Sequence, residues 1–176
     1  MKIRTIRRNE IEQIKNLDRS EIVNNVYYFD GGQLKLKSEF YDIKCWKVSE
    51  LKRNIEHLYG IYDRGGYLVG CFEWNKLVGI AALDSKFIGK NRDYLQLYFL
   101  QVDSKYRRTG IGKKLLKNVA NRAKKLMAKK LYISATPSQN TIDFYIHIGC
   151  QLVSELNPAL FQLEPRDIHL ELSLSD

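Results

Sequence analysis

An apolar run ending in Leu100-Gln101-Val102 gives way to an amphipathic stretch, and the junction reads Arg107-Arg108-Thr109-Gly110-Ile111-Gly112-Lys113. The glycines remove Cβ atoms where the first N–H groups of a helix have no intrahelical partner, and such a terminus attracts anions. With arginines beside them, the chemistry indicated is phosphate binding. Two glycine-based phosphate motifs fail on this sequence. A P-loop needs glycine where Arg107 stands and a hydroxyl where Lys114 stands. A dinucleotide fingerprint needs a third glycine where Leu115 stands.

A third pattern, Arg/Gln-x-x-Gly-x-Gly/Ala, is met at every defined position from Arg107 to Gly112. Through it the chain resembles the GNAT superfamily of N-acetyltransferases. The likeness spans Leu77 to Cys150 and takes in "SATPSQNTIDFYIHIGC" beyond the loop. The resemblance implies acetyl-CoA as co-substrate, with its pyrophosphate on the amides from Arg107 through Arg108, Thr109, Gly110 and Ile111 to Gly112, and Lys113 or Lys114 beside the phosphates. It also implies that backbone groups of Leu100 and Val102 pair with the pantetheine arm as an added strand would, between two splayed parallel strands, and that Asn140 lies against the arm.

Acetyl transfer to an amine needs a neutral nucleophile, a stabilised oxyanion and a proton for the departing thiolate. By the same resemblance Tyr145 is the general acid and the Leu100 amide the oxyanion donor. A phenol, protonated at pH 7, is competent to protonate a thiolate. For the base, the residues leave several routes. Glu73, leading into the Trp74-Asn75-Lys76 turn, is preferred to Asp103, and a water chain along Gln96, Tyr98 and Gln101 is the other route. A substrate amine arriving deprotonated needs neither. Asp18, Glu21 and Asp84 are carboxylates suited to a cationic acceptor, which is a small-molecule or a protein amine.

These groups must be positioned by a scaffold. "MKIRTI" alternates as a first strand, and Ile11, Ile14 and Leu17 recur at helical spacing. Asp30-Gly31-Gly32 between alternating runs is a hairpin turn. Leu51, Ile55, Leu58 and Tyr62 mark a helix ended by Arg64-Gly65-Gly66. "YLVGCFE" and "LVGIAALD" form an antiparallel hairpin, and "DYLQLYFLQVD" is the longest strand. From Ile111 an apolar stripe faces away from a lysine-rich side. "KLYISA" is a buried strand, and Thr136-Pro137-Ser138-Gln139 predicts a helix capped at Thr136 and running from Pro137 to Ile148. "CQLVSEL" and "IHLELSL" complete the set. The fold class expected is a single α/β domain over residues 1–176, with a mixed, mostly antiparallel sheet of about six to seven strands covered by helices on both faces. The resemblance adds two splayed parallel strands that form the acetyl-CoA cleft.

Composition narrows the partners. A net charge of +9 attracts anions. Much of the excess lies between residues 113 and 130, where basic residues are not interleaved with aromatics or carried on a nucleic-acid reading motif. Nucleic acid is therefore not expected as a partner; a basic nucleic-acid module and a non-catalytic acyl-CoA sensor are the lesser alternatives. The absence of a long apolar segment or signal-like start leads to an expectation of a cytoplasmic protein without a membrane partner, monomeric or homodimeric. Cys45, Cys71 and Cys150 lack metal-ligand spacing, and His57, His147 and His169 are not paired for a metal, so no metal site is expected.

Overall fold

The computed structural model describes residues 1–174. The chain begins with β1 (Lys2–Thr5), a 3-10 segment (Arg8–Asn16), and a hairpin of β2 (Glu21–Asp30) and β3 (Gln33–Ile43). Helix α1 (Val48–Asp63) leads to β4 (Tyr67–Glu73), β5 (Lys76–Ile88) and β6 (Tyr94–Val102). Then come α2 (Ile111–Lys125), β7 (Lys130–Ala135), α3 (Gln139–His147), β8 (Gln151–Leu152), α4 (Pro158–Leu163) and β9 (Ile168–Ser173). The main sheet has seven strands in the order β1-β4-β5-β6-β7-β9-β8, and β2 and β3 form a separate two-stranded sheet. Every pairing in the main sheet is antiparallel except β6 with β7, which makes it the mixed, mostly antiparallel sheet expected.

Helices cover both faces. On one, Ile111, Leu115, Leu116 and Val119 of α2 pack with Leu95, Leu97 and Ile133. On the other, Leu58 and Ile61 of α1 join Ile11, Ile14, Ile80 and Ala82. The predicted helix at Ile11, Ile14 and Leu17 is a 3-10 helix. With three residues per turn, side chains three apart line up on one face, which suits all three being buried. The Asp30-Gly31-Gly32 turn forms as expected, with φ of +56° at Gly31 and +83° at Gly32.

Two differences concern the cleft region. Helix α3 is capped by Ser138, not Thr136, because residues 136–138 are held extended by β2: Tyr27 N–H donates to Pro137 O at 2.8 Å and Val26 bridges Ser138. The strand predicted over "CQLVSEL" shortens to Gln151–Leu152. After it, Ser154 turns to Glu171, its N–H donating at 3.0 Å. The unforeseen α4 carries an available signal, Asn157 capping Leu160 N–H with Pro158 in the first turn.

The position of the cleft follows from the registers of β6. Strand β7 pairs with it only from Tyr94↔Lys130 to Leu97↔Ile133. On the other edge, Ala82 faces Phe99 while Leu83 faces Leu97, so Tyr98 is the extra residue of a β-bulge. The bulge resets the alternation: Leu97, Leu100 and Val102 pack on the α2 face, and Tyr98 and Phe99 on the α1 face. Bulge and parting of the strands coincide. The closed end of the resulting V is pinned by the buried Glu171 carboxylate, which accepts from Lys130 Nζ at 2.7 Å and Tyr94 Oη at 2.5 Å. Burial opposes the charge on Glu171, yet these donors and Ser154 hold its carboxyl below the ordinary value.

Candidate active site

Beyond Leu97 the open edge of β6, the loop after it and α3 enclose a cleft of about 1040 Å³. Leu100, Gln101 and Val102 line it from the strand, Arg107, Arg108, Gly110, Gly112 and Lys113 from the loop, and Asn140, Phe144 and Tyr145 from α3. The start of β2, Ser20 to Ile22, forms a further wall.

The loop is built by local capping and long-range ties. Buried Asp103 accepts from Lys105 N–H and Asp18 N–H, each at 3.1 Å. Ser104 donates its hydroxyl to Asp18 at 2.6 Å, and Thr109 donates its own to Tyr106 O at 2.6 Å. Gly110 has φ +83°, a left-handed conformation that glycine adopts without Cβ strain. The first bond of α2 runs from Lys114 N–H to Gly110 O at 3.1 Å, so the N–H groups of residues 111–113 have no intrahelical acceptor. They present the positive end of the helix to the cleft.

Gly112 serves by its small size. A Cβ built there would lie 3.2 Å from Phe144 Cζ, tighter than ordinary contact, so glycine lets α2 and α3 approach at the cleft mouth. Ile111 offers the site only backbone, since its side chain is buried in the core. Thr109 is turned to the loop's own carbonyl. Arg107 is a tether: its guanidinium donates to Ser20 O at 2.9 Å and Val102 O at 3.3 Å, with Glu21 at 3.8 Å. Arg108 and Lys113 are exposed at the mouth.

Tyr145 is buried among apolar neighbours, and burial pushes its phenol well above the usual value, so it is protonated at neutral pH. Asn140 donates its amide to Glu21 at 3.1 Å, fixing its orientation at the wall. Glu73 is not among the side chains that line the cleft. Glu73 lies six residues along β4 from Tyr67, which shares the row of Leu83 and Leu97, or about 20 Å from where the strands part. There it accepts a hydrogen bond from Tyr106 at 2.5 Å. The other carboxylates considered are also engaged: Asp18 by Ser104 and Ser20, Glu21 by Asn140, and Asp84 by both arms of Arg64. Cys150 is buried, and burial pushes its thiol up to about 12, which removes it as a nucleophile at neutral pH.

Tyr106, Ser20 and Phe144 are cleft residues that carry no sequence signal of that role, because their partners come from β4, the loop after β6 and α2. No cluster of His, Cys, Asp or Glu suited to a metal occurs among the described residues. Among those residues, too, no helix is long and apolar enough to cross a membrane.

Comparison with known proteins agrees with this architecture. Residues 32–149 match the model of the Acetyltransferase (GNAT) family. No curated protein matches the sequence. Among solved structures, a nourseothricin acetyltransferase superposes with a TM-score of 0.72 at 15% identity, covering 99% of this chain and 98% of that one. A Bacillus anthracis str. Ames protein in complex with acetyl coenzyme A gives 0.70 at 17% identity, covering 98% and 97%. An aminoglycoside 6'-N-acetyltransferase complexed with coenzyme A gives 0.66 at 13%, covering 100% and 98%. The fold and loop thus define an acyltransferase, and the chain belongs to the GNAT acetyltransferase family. It is an N-acetyltransferase whose co-substrate is acetyl-CoA.

Proposed function

We propose that the protein transfers the acetyl group of acetyl-CoA directly to a primary amine within a ternary complex. The observation that carries this reading is the coincidence of three features: the open edge of β6 beyond Leu97, the free amides at the start of α2, and a buried, protonated Tyr145 lining the same cleft. In this reading the amides of residues 110–113 hold the pyrophosphate. The edge of Leu100 and Val102 pairs with the pantetheine arm. The Leu100 N–H faces the developing oxyanion, and Tyr145 donates its proton to the leaving sulfur. Arg107 acts through the loop, because its guanidinium is already engaged by two carbonyls.

The acceptor class is read by a panel of amines, comprising nourseothricin, kanamycin and a peptide with N-terminal alanine, assayed for acetyl-CoA-dependent thiol release. Release with at least one amine, and amide formation by mass, supports direct N-acetylation. Binding of acetyl-CoA by calorimetry with no amine turned over would overturn it in favour of a sensing role.

A further inference from the structure

We propose that Tyr98 and His57 form the proton exit for the acceptor amine, Tyr98 receiving the amine proton at the parting of β6 and β7 and His57 passing a proton to solvent. The proposal rests on the direct-transfer reading above and supplies a route for the amine proton. Leu97↔Ile133 is the last paired row, so Tyr98 is the first residue of β6 at the gap. Beyond that row β7 no longer pairs with the edge of β6. The bulge turns Tyr98 onto the α1 face, opposite the cofactor cleft, and in this proposal the amine approaches the parting of the strands from that face.

The hydroxyl of Tyr98 lies 2.5 Å from Nδ1 of His57, one α1 residue whose ring is exposed. The groups whose charges act on Tyr98 are Arg53 and Arg64 from α1 and its end, Asp84 from β5 and Glu164 from the end of α4. Arg64 is bound by both oxygens of Asp84, and Arg53 stands 3.5 Å from Glu164, so both cations are matched by carboxylates. Burial pushes the Tyr98 phenol up to about 12. It therefore conducts protons as a neutral hydroxyl and is not a standing phenolate.

A second hydroxyl and histidine pair sits across the gap, and its geometry is unsuited to this task. Ser134 of β7 lies 3.2 Å from His169 Nδ1, but Tyr132 Oη is also 2.9 Å from that nitrogen. Tyr132 already accepts from Asn157 N–H, so its own proton is directed to His169. The His169 ring is buried and its Nε2 has no partner, leaving no path for a proton to water.

The step balances as an ammonium and acetyl-CoA giving an amide, CoA thiol and one proton. The ammonium loses that proton to Tyr98 Oη as the phenolic proton moves to His57 Nδ1, and the imidazolium releases a proton to water. The N–C bond then forms and the C–S bond breaks. Sulfur takes a proton from Tyr145, which is replaced by the second proton shed from nitrogen.

The test uses the full chain and whichever amine of the three-member panel turns over fastest. His57→Ala, at an exposed position, is expected to keep its melting temperature and acetyl-CoA affinity while kcat falls about tenfold or more. Added imidazole should restore turnover. Tyr98→Phe should lower kcat similarly without imidazole rescue. Turnover of His57→Ala within about twofold of the parent would overturn the relay while leaving direct transfer standing. If the parent chain binds acetyl-CoA but acetylates none of the amines, direct transfer and the relay fall together.

Discussion

Gly112 and Phe144 stand so close that a Cβ on the glycine would meet the ring at 3.2 Å. Two helices that each supply one wall of the cleft are thereby held at a fixed separation. Gly112→Ala should push them apart and raise KM for acetyl-CoA about tenfold, with a loss of about 1 kcal/mol in stability from overpacking. Gly112→Asp, which adds a negative charge at the helix terminus, should abolish binding. Calorimetric titration with acetyl-CoA and urea unfolding of the two variants check both.

Tyr145→Phe removes one hydroxyl from a buried ring and leaves its packing intact. The expected result is a fall in kcat of about a hundredfold with acetyl-CoA affinity unchanged. Steady-state kinetics set beside a binding titration separate the two quantities, and an unchanged kcat would take the acid role away from Tyr145.

Lys130 and Glu171 close the V at the end remote from the cleft. Lys130→Ala leaves a buried carboxylate without its cation and should destabilise the fold by about 3 kcal/mol. Urea denaturation measures it. Because Glu171 also holds Tyr94 and Ser154, Glu171→Gln should be less damaging than Lys130→Ala.

Acid should weaken the fold through Glu10 and Asp18. Arg4 holds the Glu10 carboxyl down at about 2 against an ordinary 4.5, and Ser104 and Ser20 hold Asp18 at about 2 against 3.8. Depressed carboxyl values contribute stability that is present above the ordinary value and lost as pH falls through the depressed one. The melting temperature should therefore decline from about pH 5 toward pH 2, and Glu10→Gln should flatten part of that decline. Loss of the Asp18 to Ser104 bond in the same range loosens the loop that precedes Arg107.

The thiols should divide by burial. Cys45 is exposed, whereas Cys71 and Cys150 are buried with raised thiol values. An aromatic disulfide reagent should label Cys45 in the native protein and the other two only on unfolding. Mass spectrometry after incubation with acetyl-CoA should find no acetyl group on Cys150.

The parts of the site legible in the sequence are those made by near neighbours. Gly110 and Gly112 bracket a helix start within a few residues, and the apolar stripe of Ile111, Leu115 and Val119 fixes which side of α2 is buried. The Asp30-Gly31-Gly32 turn was legible for the same reason. Thr136 misled because its capping pattern is equally local, and β2, over a hundred residues earlier, holds that segment extended. Glu73 stands at the end of β4 on the side where the cleft opens, and what the sequence does not show is that Tyr106, a cleft residue, holds its carboxylate there.

By itself the sequence determined the helix-terminal amides, the family likeness and hence the donor, because these depend on backbone groups and spacings of a few residues. The tertiary structure alone decided that Arg107 reaches Ser20, that Glu73 meets Tyr106 and that Tyr98 meets His57. These contacts are set by strand order, register and one bulge. A single-residue slip in any of those registers would turn the same side chains to the opposite face.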